Sequence, residues 1–147
     1  MIKFVSYNCN SVRNNIEIVK SIMSQADIVM LQELMLSKSD LPLLNDIDNE
    51  FSNVAFVKDR ESDGINEGRP TKGVAIFWRK TLALRVDPVL VNDSVIGIMI
   101  SNGSIDIMVL NVYMPCDFQN SDALHNYRSM LATLETLMYE TRKMRTT

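Results

Sequence analysis

Cysteine and histidine are scarce in this sequence. It contains two cysteines, Cys9 and Cys116, and a single histidine, His125. Two cysteines are too few for a disulfide framework or a zinc site. One disulfide between them remains open, but reduced thiols are expected, as in most proteins of the cytosol and nucleus. The N-terminus also lacks the basic segment and long apolar run of a signal peptide, which predicts an intracellular protein, nuclear or cytoplasmic, that is not secreted.

Basic residues do not exceed acidic ones, and no long apolar run is present. The chain has 15 Lys and Arg residues against 18 Asp and Glu residues, a net charge of −3. Compact nucleic-acid-binding domains usually carry a basic patch, so simple binding to a phosphate backbone is disfavoured. The composition leaves room for an acidic site that meets phosphate through a divalent cation. No stretch approaches ~18 apolar residues, so the sequence predicts no membrane-spanning helix.

The remaining composition is that of an ordinary globular domain, predicted to be single over residues 1–147. Residues 2–7 are predicted to form a strand, and Asn14 with Glu17 resembles a capping box for a following helix. Asp27–Glu33 is nearly all apolar, which is typical of a strand covered on both faces. The order strand, helix, strand favours two parallel neighbours.

The rest of the chain shows one strong turn signal. Asn102-Gly103 lies between the apolar runs Ile96–Ile100 and Ile105–Tyr113. It predicts a hairpin with a two-residue turn, whose central positions both need positive φ. A C-terminal helix is predicted over 121–140 from one apolar face. Weaker signals predict a short helix in Ser39–Asn49, a strand at Phe51–Val57, an exposed loop at Lys58–Lys72, and paired strands at Gly73–Trp78 and Leu82–Val86.

Glu33 is the most informative charge, because it closes an apolar strand. A carboxylate there costs free energy unless it is exposed or paired. A hard cation such as Mg²⁺ would compensate it, since that ion takes oxygen ligands and often only one or two carboxylates. Taken alone, Glu33 is explained more simply as a solvated strand end.

Two asparagines and a tyrosine follow other strands. Asn8 and Asn10 end the first strand, and on an extended backbone they would point to one face. Tyr113 ends the strand of the later "LNVYMP" segment, where Pro115 stops the ladder. The amides could orient a phosphate oxygen or a metal-bound water, and the phenol could donate to phosphate. A plain turn and a buried tyrosine satisfied by the backbone are the alternatives.

In their order and spacing, four short motifs resemble the endonuclease/exonuclease/phosphatase superfamily. Within it, they are most similar to the apurinic-type endonuclease domain of non-LTR retrotransposons. The motifs span nearly the whole chain. They are Tyr7-Asn8-Cys9-Asn10, Leu31-Gln32-Glu33, Gly68-Arg69-Pro70 running into Gly73–Trp78, and Leu110–Pro115.

The resemblance implies an α/β fold, a four-layer sandwich of two mostly antiparallel sheets flanked by helices. It also implies cleavage of phosphodiesters or phosphomonoesters with Mg²⁺ or Mn²⁺, and DNA is the substrate in the parent family. Glu33 would then be the metal carboxylate, and Asn8 would contact the metal or the phosphate. Tyr113 would bind the scissile phosphate, with Asn10 and Arg69 as further contacts to the substrate.

Two motifs of that family have no counterpart in the sequence. One is a Gly-Asp-x-Asn strand end, whose Asp orients the attacking water, and the other is a later Ser-Asp-His-type motif. Asp117 follows Pro115 too closely to replace the former, and His125 lies in the C-terminal helix pattern as a surface or packing residue. The chain ends at Thr147 before either motif, which predicts a partial sandwich whose C-terminal part is missing.

We therefore expect the N-terminal fragment of a metal-dependent DNA endonuclease of retroelement type, inactive alone. It would bind Mg²⁺ or Mn²⁺ weakly, if at all. One alternative is a non-catalytic interaction module that pairs an exposed sheet face with another chain or with a copy of itself. A small-molecule phosphatase relative is a further alternative.

Overall fold

The computed structural model describes residues 1–58, 72–92, 94–114 and 121–144. The chain divides into two compact units, Met1–Tyr113 and Met114–Thr147. The first unit holds two β-sheets with helices, as predicted for an α/β sandwich. The predicted loop between Lys58 and Lys72, Arg69 included, lies outside the described residues except for its two ends.

The N-terminal strand–helix–strand unit is confirmed. Strand β1 is Phe4–Asn8, helix α1 is Ile16–Gln25, and strand β2 is Ile28–Gln32. The two strands pair in parallel, and Asn8 lies opposite Gln32. The predicted capping box of Asn14 is wrong, because α1 begins after Asn15. The Asn15 amide donates instead to the carbonyl of Cys9, at 2.8 Å, and so ties the helix to the end of β1.

Two further strands complete the first sheet. A 3₁₀ helix over Lys38–Asp46 follows β2, inside much of the predicted helical segment, and leads to β3, Phe51–Phe56. Strand β4, Val74–Arg79, inserts between β2 and β3 and is antiparallel to both, so the order is β1-β2-β4-β3. Gly73 precedes β4 at a close approach. A Cβ there would lie 2.5 Å from Val57 Cγ1 and 2.8 Å from the Phe56 carbonyl oxygen.

The second sheet has the order β5-β6-β7, all antiparallel. Its strands are β5 (Arg85–Val91), β6 (Val95–Ser101) and β7 (Asp106–Val112). The predicted pairing of Gly73–Trp78 with Leu82–Val86 is therefore wrong. A short 3₁₀ helix, Lys80–Leu82, ends at Ala83 with φ 46°, and this turn carries the chain from the first sheet to the second.

The β6–β7 hairpin is confirmed, but its predicted two-residue turn is wrong. Ser101 pairs with Asp106, which leaves four residues in the loop. Gly103 has φ 88°, whereas Asn102 is not among the residues with positive φ. The Asn102 side chain accepts from the backbone N–H groups of Ser104 and Ile105, at 3.0 and 2.9 Å. That side-chain turn replaces the tighter turn that two left-handed residues would form.

Two apolar cores explain why β2 reads as continuously apolar. Val29 and Leu31 face α1 and the first 3₁₀ helix, in a core with Val19 and Met23 of the helix. Ile28 and Met30 face the second sheet, in a core that includes isoleucines of β6. Burying each such side chain contributes roughly 1.5–3 kcal/mol. Because β2 is covered on both faces, its polar residues are displaced to its ends.

Strand β1 is covered on one face only. Phe4 pairs with Ile28 and shares its face toward the second sheet, yet Phe4 is 44% exposed and Ile28 is fully buried. Ile107 of β7 is also 44% exposed. In the described part of the chain β1 forms an edge of its sheet. The space between the sheets is therefore open to solvent along this flank.

The second unit contains helix α2, Ser121–Met144, which extends four residues past the predicted end. Leu124, Leu131 and Met138 of its apolar stripe are 37%, 39% and 50% exposed. His125 is exposed, in agreement with the prediction of a surface residue. No helix in the described residues is long and apolar enough to cross a membrane.

Candidate active site

Glu33 lies at the carboxyl end of β2 in a left-handed backbone conformation. Its φ is 56°, which costs roughly 1–2 kcal/mol for a residue with a Cβ. Neighbouring segments hold it there: the Ser11 N–H donates to the Glu33 carbonyl at 2.9 Å, and the Leu34 N–H donates to the Gly73 carbonyl at 3.1 Å. The turn brings a partly buried carboxylate to the end of the sheet, beside the segment that follows β1.

Asn8 and Asn10 lie beside it, but they do not share one face of an extended strand. The Cys9 N–H still donates to the Gln32 carbonyl at 3.0 Å, whereas Asn10 and Ser11 have φ of 42° and 85°. The prediction of a common face is wrong because the chain leaves the extended conformation at Asn10. The Asn8 side chain hydrogen-bonds to Glu33. Asn10 contacts Asn8 through its backbone, whose N–H donates to Asn8 Oδ1 at 3.2 Å.

Tyr113 reaches the same point from the second sheet. It directly follows β7, and its backbone N–H donates to the Ser94 carbonyl at 2.7 Å. Its phenol donates to Glu33 Oε1 at 2.7 Å. Lys72 Nζ in turn donates to the phenol oxygen at 3.1 Å and lies 5.4 Å from the centre of the ring. The predicted convergence of Asn8, Glu33 and Tyr113 at one end of the sheet is therefore confirmed.

These contacts set the charge states of the site. The hydrogen bond from Tyr113, followed by that from Asn8, lowers the pKa of Glu33 below its ordinary value. Burial raises the pKa of Tyr113, and the neighbouring Glu33 carboxylate raises it further, against the opposing effect of Lys72. At neutral pH the pair is an ionised carboxylate accepting from a neutral phenol. An acceptor held in its charged form suits a cation better than it suits a proton.

A buried amide network beneath the site joins the two sheets. Asn111 of β7 is 1% exposed, and its side-chain N–H groups donate to the carbonyls of Leu31 and Ala75, each at 2.8 Å. The Gln32 side chain donates to Asn111 Oδ1 and, at 3.0 Å, to Ser6 Oγ. These bonds lie one residue before Glu33 and two before Tyr113. They fix the spacing of the two strand ends that carry the site.

Sequence reasoning assigned no role to three residues of this region. Asn111 and Gln32 belonged to the quoted motifs, and an amide at an inward position of an apolar strand was the signal that would have marked Asn111. Lys72 gave no signal, because a lysine before a strand is ordinary. Arg69 and Asp117, which were considered from the sequence, lie outside the described residues.

The oxygen donors fit a hard divalent cation better than a transition metal. Glu33 offers a carboxylate and Asn8 an amide oxygen, the ligand types that Mg²⁺ takes while it keeps several waters. The described residues contain no group of three or more His, Cys, Asp or Glu side chains that could hold a metal. Cys9 is buried nearby, but burial raises its pKa to about 11, so it is not a thiolate ligand at neutral pH. The set is sufficient for a weakly bound, largely hydrated ion.

Comparison with known proteins is consistent with this geometry. The sequence profile of the Endonuclease/Exonuclease/phosphatase family matches residues 5–139. No curated protein matches the chain. Among solved structures, the 3′ phosphatase NExo from Neisseria, bound to a product DNA hairpin, is similar with a TM-score of 0.70 and 20% identity, over 97% of this chain and 53% of that one.

Two other solved structures show the same fold at low identity. An AP endonuclease from Archaeoglobus fulgidus has a TM-score of 0.61 and 22% identity, over 97% of this chain and 52% of that one. The endonuclease domain of TRAS1, a telomere-specific non-LTR retrotransposon, has a TM-score of 0.55 and 14% identity, over 98% and 54%. This chain spans about half the length of these structures. With the profile matching almost its whole length, the chain belongs to the endonuclease/exonuclease/phosphatase family.

Proposed function

We propose that this chain carries one part of the active site of a divalent-metal-dependent phosphodiesterase that acts on DNA, and that it has little activity alone. The observation that carries the proposal is the 2.7 Å hydrogen bond between Tyr113 and Glu33, with Asn8 beside them. It joins strand ends 80 residues apart in the sequence. An oxygen-donor set beside a phenol donor suits a phosphate ester and the cation that accompanies it.

The described residues would bind and orient the substrate. Glu33 and Asn8 would hold the cation, which when bound supplies positive charge to offset the charge of the phosphate. Tyr113 offers an O–H to a phosphate oxygen, and its neutral form is the one that can donate. Neutral amides at Asn8 and Asn10 add polar contacts without repelling an anion.

The same residues do not supply an efficient base for the attacking water. A general base works best when its pKa lies near the working pH, and the pKa of Glu33 is displaced the other way. A positioned base typically contributes 10²–10⁴-fold to rate. Weak positioning along the open flank beside β1 would lower the rate further. We therefore expect the chain to bind but hardly to cleave.

The finer assignment is to a retroelement-type DNA endonuclease. It is supported by the order of the four sequence motifs and by the similarity to the TRAS1 endonuclease domain. The higher TM-scores of NExo and the archaeal AP endonuclease support a DNA phosphoesterase equally well. Substrate preference would separate the two: nicking of plain duplex favours the first and nicking at abasic sites the second.

The test combines ion binding and cleavage on the purified chain. Mn²⁺ binding, followed by electron paramagnetic resonance, is expected to be weak and to be lost in Glu33→Gln. The matched control is Glu17→Gln, an exposed glutamate of α1, which should leave binding unchanged. Supercoiled plasmid with Mg²⁺ should show no appreciable nicking.

Two results would contradict the proposal. Mn²⁺ binding that is equal in Glu33→Gln and in the unmodified chain would remove Glu33 from the site. Efficient nicking that disappears in Glu33→Gln would show that the chain is catalytically complete, alone or as an oligomer.

A second candidate is an interaction module, favoured by the exposure of Phe4 on the face toward the second sheet. An apolar residue left open on an edge strand is a pairing surface for another strand. If copies of the chain associate there, sedimentation should show a concentration-dependent dimer. Phe4→Gln should then abolish the dimer, whereas Ile18→Gln on the exposed side of α1 should not.

A further inference from the structure

We propose that Lys72 is a phosphate-contacting residue of this site, an inference that rests on the proposed function and adds one ionic contact to it. Lys72 immediately precedes Gly73 and β4. Its ammonium donates to the Tyr113 phenol oxygen at 3.1 Å, and the same phenol donates to Glu33 at 2.7 Å. The three side chains therefore form one continuous hydrogen-bonded row.

The backbone next to Lys72 is held in place. The Gly73 carbonyl accepts from the Leu34 N–H at 3.1 Å, directly after Glu33. No side chain fits at position 73, because a Cβ would collide with Val57 and with the Phe56 carbonyl. The segment is thus pressed against the strand that ends at Glu33. Although its side chain is exposed, Lys72 starts from a fixed point beside the carboxylate.

The charge of the site requires such a group. Glu33 is ionised, and an approaching phosphodiester brings another negative charge, so the two repel. The whole chain has a net charge of −3 and offers no general attraction to nucleic acid. A cation 3.1 Å from the phenol that is to donate to phosphate offsets the repulsion where it arises. The ring beneath the ammonium adds a cation–π contact that keeps the charge on this side of the site.

The alternative is a surface lysine that merely rests on an aromatic ring. Lys80 provides a matched comparison, because it flanks the same strand at the opposite end. It is exposed, and its ammonium donates to the Asn49 carbonyl at 2.8 Å. Removing either lysine changes the net charge by the same amount. Only Lys72 should change phosphate binding at the site.

The experiment titrates ¹⁵N-labelled chain with a single-stranded DNA hexanucleotide and follows the amide shifts of Glu33, Leu34 and Tyr113. Such shifts report binding even in the millimolar range. Lys72→Met should weaken the apparent Kd roughly five- to eightfold at 0.1 M salt, the value for one lost phosphate contact. The slope of log K against log salt should fall by about 0.7–0.9. Lys72→Arg should retain affinity, and Lys80→Met should behave as the unmodified chain.

The outcomes separate this inference from the proposed function. If the oligonucleotide shifts none of the three amides in the unmodified chain, the proposed function and the role of Lys72 fail together. If they shift but Lys72→Met binds as the unmodified chain does, or Lys80→Met loses as much affinity, only the role of Lys72 is overturned. Loss in Lys72→Met with retention in Lys72→Arg supports it.

Discussion

The two ends of the four-stranded sheet both carry clusters of charge, and they are built in opposite ways. At the site end lie Asn8, Glu33, Lys72 and Tyr113. At the arginine end lie Asp27, Glu50 and Arg79, beside the first residues of β2 and β3 and the last residue of β4. Antiparallel pairing of β2 with β4 places these clusters a strand's length apart.

At the arginine end the donors are used on the protein's own backbone. Arg79 donates to the carbonyls of Met23 and Ala26 at 2.8 and 2.9 Å, where α1 ends, and to Glu50 at 2.7 Å. Its guanidinium also lies 4.6 Å from the centre of the Phe51 ring. An arginine that satisfies the last carbonyls of a helix stabilises the fold. The site end instead keeps an ionised carboxylate in a left-handed backbone conformation, a cost that the fold does not need. Charges at one end hold the structure together, and charges at the other are available to a ligand.

The largest effect is expected beneath the site end, at Asn111. Asn111→Asp replaces an amide that donates to two buried carbonyls by a carboxyl group that faces them. We expect the free energy of unfolding to fall by about 3–5 kcal/mol, as when a buried polar group loses its partners and gains an uncompensated charge. Urea denaturation measures it. Asn45→Asp, on an exposed residue that only accepts from Asn53, should change little. Equal losses in both would mean that the network does not join the sheets.

Arg79→Ala tests the arginine end. The loss of the helix-end hydrogen bonds, the ion pair and the contact with Phe51 should lower the free energy of unfolding by about 3 kcal/mol. Arg85→Ala removes an exposed ion pair with Asp87 and should cost at most about 0.5 kcal/mol. Oligonucleotide binding by the folded Arg79→Ala protein should be unchanged. Weakened binding without lost stability would reverse the assignment of the two ends.

Tyr113→Phe sharpens the comparison through pH. The Tyr113 hydrogen bond is the main reason that the pKa of Glu33 lies below the ordinary 4.5. A lowered folded-state pKa adds stability that is present above the unfolded value and is lost as pH falls through the folded value. In Tyr113→Phe the pKa of Glu33 should rise toward 4.5, and less stability should be lost between pH 5 and pH 3.

Carbon-13 NMR of the glutamate carboxyl groups measures that pKa directly. Tyr139→Phe, on an exposed tyrosine of α2, serves as the control and should leave the titration of Glu33 where it is. An unchanged titration in Tyr113→Phe would show that the phenol does not stabilise the carboxylate.

The smallest effect is expected at Ala83. Its φ of 46° is disfavoured for a residue with a Cβ, and no ligand-binding role requires it. Ala83→Gly should raise the free energy of unfolding by about 0.5 kcal/mol, the relief of strain less the added entropy of the unfolded chain. Thermal unfolding would register it as a slightly higher Tm. A lower Tm would show that the left-handed turn between the sheets is not strained.

Local patterns predicted the elements better than their partners. Residues 2–7 and Asp27–Glu33 announced a parallel pair because a helical pattern separates them. The pairing of β4 was missed because it joins β2 and β3 across long stretches of sequence, and no local feature encodes that choice. The capping box at Asn14 failed because Asn15 bonds backward to the end of β1, a tertiary contact that overrides the local motif.

The site was predicted where strand ends carry unusual residues. Glu33 and Tyr113 stood out as polar groups closing apolar strands, and each became persuasive only beside the other. Asn10 was placed on the wrong face, because the left-handed turn that begins there has no reliable signature in asparagine alone. Lys72 was not predicted, since its role depends on a ring that belongs to a distant strand.

The insertion of β4 between β2 and β3 has a consequence for the order of folding. Strand β3 pairs only with β4 in the described part of the chain, so during synthesis it emerges with no strand to join. The β1–α1–β2 unit can form from nearby residues alone, with little loop closure. We expect β4 to dock last and to lock β3 and the Glu33 turn in the same step. Pulse-labelled hydrogen exchange should show β3 amides protected together with those of β4, and earlier protection of β3 would exclude this order.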